Sequence, residues 1–377
     1  MTESRVSATG SGLRVVLFEQ PARTSNKYEI WAGMPKTHVT IVSDRDGWGA
    51  DETVVCDAVR IPLVGGVEGW TAAPALLRGL GDIDARSFDV VASHELYSFT
   101  TAQAARFAKR AGKPHVVHIS ETMPKNIVYR LPPYSLIAKR TVRSATWFAC
   151  TTQRSRQHAI ALGCDPDRCS VVHSGVDMER FHPDPNGLVD DPELLFVGML
   201  RANRGADKGV LDLVAAVDRL KGQGTDLHLS IVGDGHLRAE LEEMATTRPH
   251  LTIRGRVPRD EIADLMRSSR VLILPSKRTW KWEEQFGFVL AEAMASGLPV
   301  VGTKSGSIPE VVAPWNPLVT EGDVPALADG IASALGPEGE RWGARNREWA
   351  IDHFSLTTQA ERLRDVMAQA VTAAVRS

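Results

Sequence analysis

Lys281-Trp282-Glu283-Glu284-Gln285-Phe286-Gly287-Phe288-Val289-Leu290-Ala291-Glu292-Ala293-Met294-Ala295-Ser296-Gly297-Leu298-Pro299-Val300-Val301 reads as a loop, a buried helix and a strand. From Gly287 to Ser296 almost every residue is apolar, which predicts a helix buried on most faces and stopped by Gly297, with Pro299 just beyond. Glu292 is then a carboxylate in an apolar element, costly unless something hydrogen-bonds to it. It stands roughly 7 Å along the helix axis from Gly287. Glu284 precedes the first turn, where free backbone N–H groups also point. This layout offers two acceptors for hydroxyls with an anion-binding helix end between them. A nucleotide sugar has that order of parts: sugar hydroxyls, diphosphate, ribose hydroxyls.

Glu284 and Glu292 with seven residues between them, Phe286-Gly287, and the continuation Glu-Ala-Met-Ala-Ser-Gly-Leu-Pro-Val-Val resemble the donor-site signature of retaining glycosyltransferase family 4. The run follows the strand Val271-Leu272-Ile273-Leu274-Pro275-Ser276. The competing reading is a buried helix with an incidental Glu. The resemblance implies an α/β chain of the GT-B fold, two Rossmann-like β/α/β domains facing across a cleft, with a C-terminal helix crossing back to the first domain. It divides the chain into an acceptor-binding domain at 1-177, a linker at 178-191 rich in Pro, Asp and Gly, a nucleotide-sugar-binding domain at 192-355, and a helix at 356-377 packing back on the first domain.

A chain of 377 residues is long enough for two domains of ordinary size. Its 43% hydrophobic content and net charge of -2 describe a soluble globular protein with no overall bias toward nucleic acid. Cys56, Cys150, Cys164 and Cys169 are scattered without metal-site spacing and read as reduced thiols of a cytoplasmic protein. Met1 to Leu13 is polar and Ser/Gly-rich, unlike a signal peptide, and no apolar run approaches the length of a membrane span. Any membrane contact is therefore expected to be peripheral, at the inner membrane face, and the chain is expected to be a monomer or homodimer.

Arg14-Val15-Val16-Leu17-Phe18 reads as the first strand of an α/β domain. Further strands are expected at His38 to Val42, Asp89 to Ala92 and Pro114 to Ile119, with a helix at Thr101 to Ala111 between the last two. Such alternation argues for a parallel sheet covered on both faces, with ligands outside the carboxyl ends of the strands. His94 and His118 fall near those ends. Family members usually follow the first strand with a Gly-Gly loop, whereas this chain has Glu19 to Tyr28 without glycine, so close backbone approach to a phosphate is harder. Ser25, Asn26 and Lys27 become candidates for acceptor binding, against the alternative of a helix N-cap at Ser25 or Asn26. His118 resembles a position where many family members carry a His near the reacting sugar, which makes it a catalytic candidate. A satisfied structural His is the alternative. Pro124 to Trp147 carries five basic residues, no acidic one, and interleaved Ile127, Tyr129, Leu131, Tyr134 and Leu136. It suits peripheral contact with anionic lipid, or is a solvated helix face plus a loop.

The second domain opens with the strand Leu194-Leu195-Phe196-Val197-Gly198. The family usually continues Gly-Arg-Leu, three residues, Lys-Gly, where Arg and Lys hold the diphosphate. Here Met199 stands at the Arg position and the loop is longer by about four residues, so Arg201 or Arg204 takes that role, while Lys208-Gly209 matches. A cation at the positive end of a helix beginning near Gly209 is unfavourable unless an anion sits there too, and a diphosphate would be that anion. Trp280 and Trp282, in the basic loop before Glu284, could stack on a sugar or simply pack the loop. Thr303 to Val312 resembles the family's donor-side Gly-Gly loop, with Ser305 replacing one Gly. Pro325 to Leu335 and Gln359 to Ala374 read as amphipathic helices.

Paired glutamates also suggest a glycosidase, but hydrolases need no phosphate site of the Lys208 kind. Asp82-Ile83-Asp84 and Asp165-Pro166-Asp167 mimic a metal motif without lying in a donor site, so no metal and no cofactor is expected beyond UDP- or GDP-sugar as co-substrate. The family implies retaining transfer of a hexose or amino-hexose to an acceptor hydroxyl, with UDP the leading nucleotide. In that reading Glu292 binds ribose, Lys208 and an Arg neutralise the diphosphate, and Glu284 with the Phe286-Gly287 backbone holds the donor sugar. The departing phosphate accepts the acceptor proton, so no protein nucleophile is needed. Three alternatives stand beside it: a peripheral membrane enzyme with a lipid-linked or polysaccharide acceptor, a sugar phosphorylase or epimerase of related fold, and a catalytically silent nucleotide- or carbohydrate-binding protein.

Overall fold

The computed structural model describes residues 12–19, 28–43, 57–60, 63–67, 70–123, 130–184, 193–201 and 207–376. The first part of the chain runs β1 (Leu13–Phe18), α1 (Glu29–Ala32), β2 (Thr37–Ser43), β3 (Asp57–Arg60), β4 (Leu63–Val67), β5 (Trp70–Leu77) and β6 (Val90–His94). It continues with α2 (Phe99–Ala111), β7 (His115–Ile119), α3 (Tyr134–Ser144), β8 (Trp147–Cys150), α4 (Gln153–Ala161) and β9 (Cys169–Val171). Seven of these strands form a parallel sheet in the order β3-β2-β1-β6-β7-β8-β9, while β4 and β5 make a separate antiparallel hairpin.

Alternation along β1 explains why the sheet is covered on both sides. Val15 and Leu17 pack with α1 residues Ile30 and Trp31 and with Ala360, Leu363 and Met367 from the end of the chain. Val16 and Phe18 point the other way, onto Ala104 and Ala108 of α2. α2 begins where the Ser98 side chain accepts the Thr101 N–H at 3.0 Å, and α4 begins with a reciprocal Thr152–Ser155 capping box.

The second part runs β10 (Glu193–Val197), α5 (Val210–Gly222), β11 (His228–Val232), α6 (Arg238–Ala245), β12 (Leu251–Gly255), α7 (Arg259–Arg267) and β13 (Val271–Leu274). Then come α8 (Phe288–Ala295), β14 (Val300–Thr303), α9 (Ile308–Val311), β15 (Leu318–Val319), α10 (Val324–Leu335), α11 (Pro337–Phe354) and α12 (Leu356–Arg376). Its six-stranded sheet is also parallel, ordered β12-β11-β10-β13-β14-β15. In both sheets the order reverses beside the first strand, at β1/β6 and at β10/β13. Crevices at the carboxyl ends of such reversal points are where ligands bind in open α/β sheets.

The chain passes between the two units twice, at Val176 and at Ser355, and the passages pair with each other. The Val176 N–H donates to the Phe354 carbonyl at 2.7 Å and the Leu356 N–H to the Val176 carbonyl at 2.9 Å. Helix α12 then lies on the first sheet, as the family pattern requires. The sequence reading had no place for α11, whose glycines mask its helical pattern. Gly343 is there because a Cβ would sit 2.3 Å from the Gly297 carbonyl oxygen, where α11 meets the end of α8. Arg347 of α11 fastens that end, donating Nη1 to the Ala295 carbonyl at 2.7 Å and to the Phe181 carbonyl at 2.6 Å.

Candidate active site

On the second unit, the site is built around two helix starts. Gly209, with φ of +69°, precedes α5, and a Cβ there would lie 1.9 Å from the Pro275 carbonyl oxygen, so only glycine fits. That close approach brings Lys208 to the loop after β13. Its Nζ lies 2.5 Å from Glu284 Oε2, which also accepts the Ser276 hydroxyl at 2.9 Å. The ammonium stands 4.9 Å from the centre of the Trp282 ring. The anion expected beside this cation is, in this structure, the Glu284 carboxylate.

The Glu284 backbone is gripped separately. Its carbonyl accepts the Ser307 N–H at 2.8 Å, and Gly306, with φ of +52°, packs so close that a Cβ would lie 2.0 Å from the same oxygen. The Ser305-Gly306-Ser307 turn thus positions Glu284. Gly287, with φ of +82°, starts α8. The Phe286 ring is buried among His173, Phe288 and Phe354. Burial holds the His173 imidazole below its ordinary range, the Thr151 carbonyl on its Nδ1 opposing that effect.

Glu292 is buried on α8 as expected, and its partner is Arg259, whose Nη2 donates to Oε1 at 2.9 Å. Arg259 and Arg180 each also reach Glu29 of α1 at 3.4 Å. Burial raises the Glu292 carboxyl above the usual carboxylate range, with Arg259 pulling it back down. A carboxylate accepts up to about four hydrogen bonds, so the Arg259 contact leaves capacity for ribose hydroxyls.

The first unit faces this with the carboxyl ends of its strands. A cleft is lined from one side by Glu19, His94, His118, Ser120 and Thr151, and from the other by Glu284 through Phe288. His118 is therefore brought together with Glu284 and Gly287. Its ring centre lies 5.0 Å from that of His94 and 6.1 Å from that of Trp31. Glu19, directly after β1, pairs with His94 Nδ1. The two units also join outside the cleft. Arg154 of α4 makes a two-pronged contact with Glu283 at 2.6 and 2.9 Å, Arg278 adds a third at 3.0 Å, and Thr152 Oγ1 meets Ser307 Oγ at 3.1 Å. Glu310 of α9 accepts the Gln153 N–H at 2.6 Å, a carboxylate at the positive end of α4.

Other expected residues fall elsewhere. Trp280 is 73% exposed with Lys281 against its ring, so only Trp282 of that pair touches the site. Arg201 is exposed, as is Met199, while Leu200 between them is buried and bonded through its backbone to Asp234 and Leu237. Ser25, Asn26, Lys27 and Arg204 lie outside the described residues. Sequence reasoning missed Glu19, Arg259, Glu29 and Arg154. Glu19 carries one local signal, an acid directly ending an apolar strand; the others meet partners 33 to 230 residues away, with no local trace. Among the described residues no cluster of three or more His, Cys, Asp or Glu is arranged to hold a metal ion, and no helix is long and apolar enough to cross a membrane.

Comparison with known proteins decides the family. Residues 27–175 match the family model described as "Glycosyl transferase 4-like domain", and residues 191–336 match "Glycosyl transferases group 1". The chain belongs to glycosyltransferase family 4. As a member it is a nucleotide-sugar-dependent hexosyltransferase, so the catalytically silent reading falls away. Its relatives include the GDP-mannose-dependent alpha-(1-6)-phosphatidylinositol monomannoside mannosyltransferase of Mycolicibacterium smegmatis, 26% identical over 69% of this chain and 72% of that protein. The D-inositol 3-phosphate glycosyltransferase 1 of Catenulispora acidiphila is 29% identical over 78% of this chain and 74% of the relative. Among solved structures, Anabaena HepE in complex with UDP superposes with a TM-score of 0.75 at 17% identity, covering 95% of this chain and all of the other. A glycosyltransferase from Rickettsia africae gives 0.74 at 16%, covering 96% and 99%. At those identities the likeness shows the GT-B fold.

Proposed function

We propose that this glycosyltransferase moves a hexose or amino-hexose, with retention at the anomeric carbon, from UDP-sugar to a hydroxyl of a sugar or small-molecule acceptor. The observation that carries the reading is the Lys208–Glu284 pair between the helix starts at Gly209 and Gly287. The diphosphate enters there, taking Lys208 and the free N–H groups of the helix ends. Glu284, no longer needed by Lys208, turns its acceptors to the donor sugar hydroxyls beside the Gly287 backbone. Glu292 takes ribose hydroxyls through its remaining lone pairs. As the glycosidic C–O bond breaks, charge grows on the leaving phosphate, where Lys208 stabilises it, and the acceptor proton passes to that phosphate. His118, which lines the same cleft as Glu284 and Gly287, hydrogen-bonds the reacting sugar in this reading. A UDP complex of a protein of the same fold favours UDP, while a GDP-mannose-dependent relative keeps GDP as the rival.

Calorimetric titration with UDP, GDP, ADP and dTDP tests this, on wild type and on Glu292→Ala. Micromolar binding of UDP, weakened at least about tenfold in the variant, supports it; a factor of ten corresponds to about 1.4 kcal/mol. Binding of none refutes the donor site. A second reading, peripheral membrane contact, draws on α3 and the turn before it, where Leu136 on the helix and Leu131 ahead of it stand exposed, with Lys139, Arg140 and Arg143 of the helix also exposed. The neighbouring 124–129 lies outside the described residues. Co-sedimentation with anionic vesicles that vanishes in high salt supports it, and no co-sedimentation at low salt refutes it.

A further inference from the structure

The first unit places an unexpected carboxylate–imidazole contact in the cleft. Glu19 directly follows β1, its N–H donating to the Val42 carbonyl of β2 at 3.1 Å, and its side chain is fully buried. A buried carboxylate is costly unless it is paired, and its partner is His94 Nδ1, from the adjacent strand β6. A carboxylate only accepts, so Nδ1 carries the proton that faces Glu19, and Nε2 is left for a partner from the cleft. Two edge-on rings, Trp31 at 5.7 Å and His118 at 5.0 Å, hold the imidazole in place. The His94 side chain is 12% exposed, and both it and Glu19 line the cleft that Glu284 and Gly287 close from the other side.

We propose that His94, oriented by Glu19, binds a hydroxyl of the acceptor, and that this subsite selects a neutral polyol over a phosphorylated one. The proposal rests on the donor site read above, which sets which side of the cleft is left to the acceptor. His94 Nε2 accepts a hydroxyl proton, and Ser120 and Thr151, whose hydroxyls lie 3.0 Å apart on the same wall, offer further partners to a polyol. No Lys or Arg is among the described residues lining the cleft. Against the described residues, a phosphate dianion placed there would meet the Glu19 carboxylate at close range with no Lys or Arg in the lining, and like charges repel strongly where water is scarce. Glu19 is a positioning residue in this scheme, acting only through the imidazole.

The test is histidine-ring nitrogen NMR on the full chain labelled with ¹⁵N-histidine, with His94→Asn assigning the signals. The wild type should show His94 protonated at Nδ1; a ring protonated at Nε2 overturns the proposal without any variant that must fold. With UDP present, myo-inositol or glucose should move the His94 signals saturably, and glucose 6-phosphate should bind at least about tenfold more weakly, the weight of one good hydrogen bond plus repulsion. Signals unmoved by either neutral probe, or glucose 6-phosphate binding more tightly, overturn it. Glu19→Gln should lose the Nδ1 preference and weaken polyol binding while leaving UDP affinity within about twofold. Parallel UDP calorimetry separates the two ideas: no UDP binding is the failure of the donor site, whereas normal UDP binding with an unresponsive His94 is the failure of this proposal.

Discussion

Replacing Arg154 by Ala should loosen the closed arrangement of the two units and slow transfer, while leaving nucleotide binding on the second unit intact. Arg154 belongs to α4 of the first unit and grips Glu283 of the second, one residue before Glu284. Removing one partner of a fully buried pair costs about 3–5 kcal/mol, and an exposed pair contributes about 0–1. Here Glu283 is 2% exposed but the Arg154 side chain is 35% exposed, and Arg278 stays behind at 3.0 Å to carry part of the charge. The expected loss is therefore about 1–2 kcal/mol, a factor of roughly 5 to 30 in the closed population.

Fluorescence energy transfer between dyes on the two units reads that population, and the transfer rate reads its consequence. Arg154→Lys should restore part of both, because it keeps the charge and loses the two-pronged geometry. Glu283→Gln should give a similar loss, and the double variant much less than the sum, since both changes break one contact. If Arg154→Ala leaves the closed fraction and the rate within about twofold, the pair is a passive surface contact and the reasoning is wrong.

Three further outcomes follow from the site. Gly306→Ala forces a Cβ onto the Glu284 carbonyl and places Ala at a left-handed φ, so it should cost about 2–4 kcal/mol of stability and weaken donor binding; unchanged urea unfolding and nucleotide affinity would refute the role given to this turn. Lys208→Met removes the charged contact to the diphosphate, and UDP affinity should drop roughly ten- to hundredfold by calorimetry, an unaltered affinity contradicting the assignment. Burial holds His115 and His158 at about 4, below the value of about 6.5 in an unfolded chain, so the folded state resists their protonation. Stability present above pH 6.5 should then be lost as pH falls toward 4, by up to about 1.4 kcal/mol per pH unit for each, and the loss between pH 7 and 5 should be smaller in His115→Gln.

How far the site could be read in advance depended on whether its chemistry is local. Glu284, Gly287 and Glu292 are legible because one short stretch encodes loop, helix start and helix interior, and Lys208-Gly209 because a left-handed glycine fixes where α5 begins. Trp280 and Trp282 look alike in sequence, and only packing sends one to solvent and the other against Lys208. Arg201 could be weighed only by analogy, since an exposed Arg in an altered loop has no periodic pattern to place it. Glu29, Arg154 and Arg259 are surface-like charged residues on helices, and nothing near them in the chain announces the distant partners they meet. The strands and most helices followed their apolar periods, whereas α11 did not, because glycines that permit close helix contact read as interruptions.

The carboxylates that matter here share one property: each already has an internal partner. Glu284 has Lys208, Glu292 has Arg259 and Glu283 has Arg154, all cations, and Glu19 has the His94 imidazole. A site with four buried carboxylates and no such partners would protonate them or spread apart. With the partners in place, donor binding at the proposed site would be an exchange of anions at Lys208 instead of the creation of a new buried charge. Exchange also favours the right moment in the reaction. In the ground state the diphosphate competes with Glu284 for the ammonium, and as the glycosidic bond breaks the phosphate gains charge and wins that competition more completely. In the proposed mechanism Lys208 would thus bind the transition state better than the substrate, and Glu284 would be released toward the sugar as positive charge develops there.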